Sequence, residues 1–184
     1  MKGRPLKIAI SGKSGCGNTT VSKLVAQRWD LQCINFTFRT LAEERGLSLE
    51  EVLRLAAQDD FWDREVDQRQ VALARASKGC VLGSRLAIWM LPEADLKVYL
   101  HADEEVRVRR IVQREGGEIA AITAFTRERD RQDRERYLRL YGIDNDDYSV
   151  ADLVIDTARY GPEEIADRIG EELEKKRGPR TDDR

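Results

Sequence analysis

The run Gly12-Lys13-Ser14-Gly15-Cys16-Gly17-Asn18-Thr19-Thr20 has the spacing of a phosphate-binding loop, with Gly12, Gly17 and Thr19 in its fixed places. The chemistry this implies is the grip of a polyanion. Glycines let the chain curl until successive backbone N–H groups converge on phosphate oxygens, and the helix that follows adds its partial positive charge. Thr19 brings a hydroxyl to the position that ligates Mg²⁺ beside a nucleotide. Asn18, however, stands where the pattern calls for lysine. An amide donates hydrogen bonds but carries no charge. At about 4 Å and an effective dielectric of about 20 the lost attraction is about 4 kcal/mol, which is about a thousandfold if nothing replaces it. Lys13 has two readings: a cation that reaches back across the loop as the replacement, or a solvated surface lysine. A further possibility is a site that binds nucleotide without turning it over.

Arginines supply the second group of candidates. Arg39 opens a helical stretch, and Arg85 directly follows the apolar run Cys80-Val81-Leu82-Gly83-Ser84. Arg129, Asp133 and Arg136 are spaced i, i+4, i+7 and share one helix face. Such a face is either an exposed ladder of ion pairs or a clamp for phosphate, since guanidinium forks bind phosphate oxygens in pairs. Arginine ahead of the acid at i, i+4 is the poorer order for helix support. The segment is also crowded with cations, which favours the clamp. Its carboxylate can accept from a ribose hydroxyl or a base amino group.

Elements must hold these groups together. Short apolar runs at Leu6–Ser11, Leu31–Asn35, Cys80–Ser84, Leu96–Leu100 and Leu153–Asp156 alternate with helical periods. That alternation predicts an α/β fold with a five-stranded parallel sheet and flanking helices. Two helical insertions, about 37–76 and about 116–136, interrupt it. Ligands in such sheets lie beyond the carboxyl ends of the strands, so the insertions are placed to close over a ligand as flaps. We expect one domain over 1–175 and a charged tail over 176–184.

Composition narrows the setting. A chain of 184 residues can build a real core. Lys and Arg total 32 against 34 Asp and Glu, and the net charge of -2 gives no signal for nucleic acid or an anionic membrane. The opening residues lack an apolar signal segment, so a cytoplasmic protein is expected. Cys16, Cys33 and Cys80 are scattered and odd in number, as reduced thiols are, and with a single histidine, His101, they argue against a zinc site.

The chain resembles the cytidylate kinases, in the short form of archaea and some bacteria, among the P-loop nucleoside monophosphate kinases. The likeness runs from Ile8 to about Pro162. It rests on the glycine loop, on Phe36-Thr37-Phe38-Arg39, on Val81 to Met90 with Ser84-Arg85-Leu86 at its centre, on Arg129-Asp130-x-x-Asp133-x-x-Arg136, and on Arg136-Tyr137-x-x-x-Tyr141-Gly142-Ile143-Asp144. The resemblance implies a P-loop NTPase-type sheet, a helical NMP-binding insertion and a helical lid. It implies transfer of the γ-phosphate of ATP to CMP or dCMP with Mg²⁺, by a protein expected to be monomeric. By position it assigns Gly12 to Thr20 to ATP, that is Gly12, Lys13, Ser14, Gly15, Cys16, Gly17, Asn18, Thr19 and Thr20, with Arg110 and Arg114 on the same side and Thr19 on the metal. Arg39, Arg85, Arg129, Asp133 and Arg136 fall to CMP, and Lys13, Arg85, Arg129 and Arg136 to the transfer itself.

Two departures stand out: Asn18, and the absence of a carboxylate after the third strand, where Gly83 and Ser84 stand. Other readings are an adenylate, shikimate or dephospho-coenzyme A kinase, or a nucleotide-binding regulator with little catalysis. Adenylate kinases usually carry Phe-Pro-Arg where this chain has Ser84-Arg85-Leu86.

Overall fold

A computed structural model describes residues 5–177. Five parallel strands form one sheet in the order β2-β3-β1-β4-β5: β1 Lys7–Gly12, β2 Gln32–Ile34, β3 Cys80–Gly83, β4 Leu96–His101 and β5 Leu153–Asp156. The central strand β1 is buried on both faces, which is why its sequence reads as a nearly unbroken apolar run. Ile8 and Ile10 point to the layer of α1 (Asn18–Arg28) and α8 (Pro162–Arg177), where Val21, Val25, Ile165 and Ile169 pack. Ala9 points the other way with Leu82, toward α4 (Phe61–Ala76) and the single turn α5 (Ala87–Met90). One-residue alternation thus divides the core into two layers.

The first insertion is three helices, α2 (Phe38–Arg45), α3 (Leu49–Ala56) and α4. Polar caps cut what reads as one helical stretch. The Thr37 hydroxyl accepts from the Thr40 amide at 3.4 Å, and Ser48 does the same for Glu51 at 3.1 Å. The second insertion, expected over about 116–136, falls on α7 (Ile119–Tyr141), which pairs with the preceding α6 (Glu104–Glu115) as a helical hairpin divided at Gly116 and Gly117. Its second arm continues five residues past the expected end of the lid, to Tyr141. At the C-terminus α8 takes in Lys176 and Arg177, the first residues of the expected tail; positions 178–184 lie outside the described residues. Among the described residues no helix is long and apolar enough to cross a membrane.

Candidate active site

A cleft of about 550 Å³ opens at the carboxyl ends of β1 and β3. The loop Gly12–Gly17 and the start of α1 form one end, and Phe36, Phe38, Asp63, Asp67 and Gln70 line the other. Arg85, Arg110, Arg114, Arg129 and Arg136 line the space between them. The structure therefore brings together all but one of the arginines singled out from the sequence. Arg39 is the exception: it is exposed on the first turn of α2 and does not line the cleft. Cys16 belongs to the loop by backbone only. Its side chain is buried, and burial raises its thiol pKa.

The loop is held from behind by arginines. Gly15 has φ of 84°, and a β-carbon there would lie 2.9 Å from the Cβ of Arg107, so only glycine lets the loop approach α6 this closely. Arg107 is 4% exposed. It donates to the Ser14 carbonyl at 3.2 Å and to Asp130 of α7 at 2.7 Å. Arg110 donates to the Gly15 carbonyl at 3.2 Å and to the hydroxyl and carbonyl of Thr157 at 2.8 and 2.6 Å. Two guanidiniums thus take up carbonyls of the loop and place positive charge close to it. Arg107 was not singled out from the sequence, although Arg107, Arg110 and Arg114 are spaced i, i+3, i+7 and share a face of α6.

Asn18 turns inward. Its Nδ2 donates to the carbonyl of Ile10 at 3.0 Å and of Ser84 at 3.4 Å, while its Oδ1 accepts from the Ser22 hydroxyl at 2.9 Å. Gly83 makes the room: a β-carbon there would stand 2.4 Å from Ser22 Oγ and 3.0 Å from Asn18 Oδ1. The amide at the lysine position therefore binds the first turn of α1 to the ends of β1 and β3. Lys13 is engaged elsewhere, with Nζ 2.5 Å from Asp146 and 3.9 Å from Asp130.

Asp133, only 6% exposed, does not itself line the cleft but a small pocket beside it with Gly12 and Lys13. It is paired with Arg85 and accepts from Arg136 at 2.8 Å. Arg136 also lies 3.2 Å from Asp63. The helix face read from the sequence as i, i+4, i+7 is thus partly neutralised internally, and Asp133 holds two arginines in place. Arg129 makes no ion pair among the described residues. Loss of water and then the like charge of Arg85 lower its pKa. Below them α4 presents Asp63, Asp67 and Gln70 at i, i+4, i+7. Burial pushes Asp67 up to about 6, against the opposing hydrogen bond from Tyr141, and burial likewise raises Asp63 despite Arg136. None of these three α4 residues was singled out from the sequence, although the stripe was visible there as a spacing.

Thr19 is exposed at the cleft wall, and among the described residues no group of three or more His, Cys, Asp or Glu could hold a metal by itself. A hydroxyl together with nucleotide phosphates fits Mg²⁺, which keeps several waters and favours phosphate oxygens over an all-protein cage.

The sheet order and the cleft over its carboxyl edge define the fold of the small P-loop kinases. Shikimate kinase from Bacteroides thetaiotaomicron superposes with a TM-score of 0.63 at 18% identity, over 91% of this chain and 98% of that one. Sequence comparison goes further. Residues 7–159 match the cytidylate kinase-like family, and the chain belongs to that family. It is 46% identical over 175 residues to cytidylate kinase 2 of Borreliella afzelii, covering 93% of this chain and 98% of the relative. To the cytidylate kinase of Pyrococcus horikoshii it is 42% identical over 162 residues, 87% of this chain and 84% of the relative.

Proposed function

We propose that the protein transfers the γ-phosphate of ATP to CMP, giving ADP and CDP, with dCMP as a second acceptor and Mg²⁺ as the metal. One observation carries the reading: a single cleft joins a phosphate-binding loop to a second end lined by paired arginines and carboxylates, in a chain of the cytidylate kinase-like family.

The loop amides from Gly12 to Thr20 receive the donor phosphates, with Arg110 and Arg114 along the same side. Thr19 is the protein's ligand to Mg²⁺, which neutralises charge on the donor phosphates when bound. Arg85 and Arg136, braced by Asp133, receive the acceptor phosphate. Arg129 is left free for the transferring group. The attacking phosphate oxygen is already anionic, so the site has more need of alignment and charge neutralisation than of a general base. Closure of the α6–α7 hairpin would shut out the water that otherwise competes as acceptor. The charge missing at Asn18 is made up by cations that converge from outside the lysine position, Arg129 above the cleft and Arg110 behind the loop, with Lys13 available once it leaves Asp146.

The purified protein should be mixed with ATP and each nucleoside monophosphate in turn and the ADP formed measured. Turnover highest on CMP is the expected result. Tight ATP binding with no acceptor-dependent ADP would replace this reading with a regulatory one.

A further inference from the structure

Gln70 is 4% exposed and lines the cleft at the end away from the phosphate loop. Its Nε2 donates to Asp67 Oδ1 at 3.1 Å, and the other Asp67 oxygen accepts from the Tyr141 hydroxyl at 2.8 Å. Gln70 Oε1 is buried and has no hydrogen-bond partner among the described residues. The orientation of this amide follows from its neighbour. An ionised carboxylate can only accept, so it takes the NH₂ of the glutamine and leaves the carbonyl unmatched. Native proteins rarely leave a buried acceptor unpaired, and each exception calls for a donor that arrives from elsewhere. Phe36 and Val66, packed together with Phe38, give the same end of the cleft an apolar wall suited to the flat face of a base.

The pyrimidines of the common nucleotides differ at one edge. Cytosine presents an amine, a donor, where uracil presents a carbonyl, an acceptor. We propose that Gln70 sets the choice of acceptor base, its side-chain carbonyl taking a hydrogen bond from the exocyclic amine of cytosine. Asp67 and Tyr141 are positioning residues that fix which end of the amide is offered. A uracil in the same place would set carbonyl against carbonyl and leave Gln70 unpaired, so rejection comes from the mismatch as well as from the missing bond. The inference rests on the reading of CMP as the acceptor.

The test compares kcat/KM for CMP, for UMP and for the 2-pyrimidinone ribonucleoside monophosphate, which lacks the amine and is otherwise the same. The wild-type protein should favour CMP over the amine-less analogue by about tenfold or more, the worth of one matched hydrogen bond. Gln70→Met keeps length and apolar bulk while removing the strong acceptor, and should bring that ratio close to one. Gln70→Glu can offer an acceptor to the base only while a shared proton joins it to Asp67, so it should keep most of the preference near about pH 6 and lose it where both carboxyls ionise. Melting temperatures of both variants report whether they fold. If Gln70→Met does not fold, the wild-type ratio and that of Gln70→Glu decide. Equal use of CMP and the analogue by the wild-type protein overturns the role of Gln70 while leaving the CMP kinase reading intact, and so does an unchanged ratio in Gln70→Met. Failure of the wild-type protein to use any pyrimidine monophosphate overturns both together.

Discussion

Asn18 and Ser22 lock one another across one turn of α1: the serine hydroxyl donates to the amide oxygen at 2.9 Å, leaving the amide nitrogen to bind Ile10 and Ser84 below the loop. The side chain at the lysine position is thus committed to the strand ends. Asn18→Ala removes three hydrogen bonds, one of them long, and should lower the melting temperature by about 5–10 °C, at about 1 kcal/mol per good bond and about 2–4 °C per kcal/mol in a domain of this size. ATP affinity should stay within about twofold. Thermal melts and an ATP titration check this, and a tenfold loss of affinity would place the amide on the phosphates instead.

Lys13 faces a choice between Asp146 and a bound nucleotide. If it is the replacement cation, Lys13→Ala should reduce kcat by about tenfold to a thousandfold, bounded by the charge lost at Asn18, and change the KM for CMP little. Steady-state kinetics decide the matter; undiminished turnover removes Lys13 from the transfer step and leaves it a structural partner of Asp146.

Arg107 and Asp130 form a largely buried pair, with side-chain exposures of 5% and 17%. Removing one member leaves an uncompensated charge, so Arg107→Leu should cost about 3 kcal/mol or more in denaturant unfolding. Because Arg107 also holds the Ser14 carbonyl, ATP binding should weaken as well. Asp130→Asn should cost at least as much stability, because it strands the more deeply buried guanidinium with only neutral partners, whereas Asp130 without Arg107 still has Lys13 at 3.9 Å.

Asp133 pairs with both Arg85 and Arg136. Asp133→Ala should free Arg85 and leave Arg136 to Asp63 alone, raising affinity for simple anions such as inorganic phosphate while weakening the preference for CMP over other acceptors. Calorimetry with phosphate and an acceptor profile are the measurements; an unaltered profile puts the carboxylate outside nucleoside recognition.

Asp67 supplies a pH signature. Its pKa is about 6 in the folded protein against 3.8 ordinarily, so between about pH 4 and 6 the native state holds a proton that the unfolded chain has released. Stability then falls as pH rises across that window and levels off above it. Asp63, raised in the same sense, and Arg136, Tyr141 and Gln70 face the same group, and Asp63 adds to the slope. The full effect is on the order of 3 kcal/mol. Melting temperature against pH should show the decline, and Asp67→Asn should flatten it.

Much of the fold was open to sequence reading because buried parallel strands announce themselves: Leu6–Ser11 and Cys80–Ser84 have no solvent face and so carry no polar alternation. Helix ends inside 37–76 were hidden, because Thr37 and Ser48 become caps only once their hydroxyls meet particular amides. Asn18 read as a lost charge, since spacing says which residue is missing and nothing about where the substitute points. Gln70 escaped notice for a related reason. On a linear chain a polar residue at helical spacing implies solvent, and only burial on all sides converts it into an unmet acceptor. Arg39 shows the reverse, a cation whose position by resemblance is at the site while its observed side chain is exposed outside the cleft.

The pair of glycines between α6 and α7 invites a picture of two arms that flex freely about a soft corner. The Arg107–Asp130 clasp makes that corner stiff, because it fastens the arms together a few turns away and is itself pinned to the loop at Ser14. Opening of the cover is thereby tied to slackening of the donor cradle through Arg107, so the ease of one should follow the ease of the other. Loosening the clasp with Asp130→Asn should hasten departure of the spent diphosphate in a stopped-flow chase.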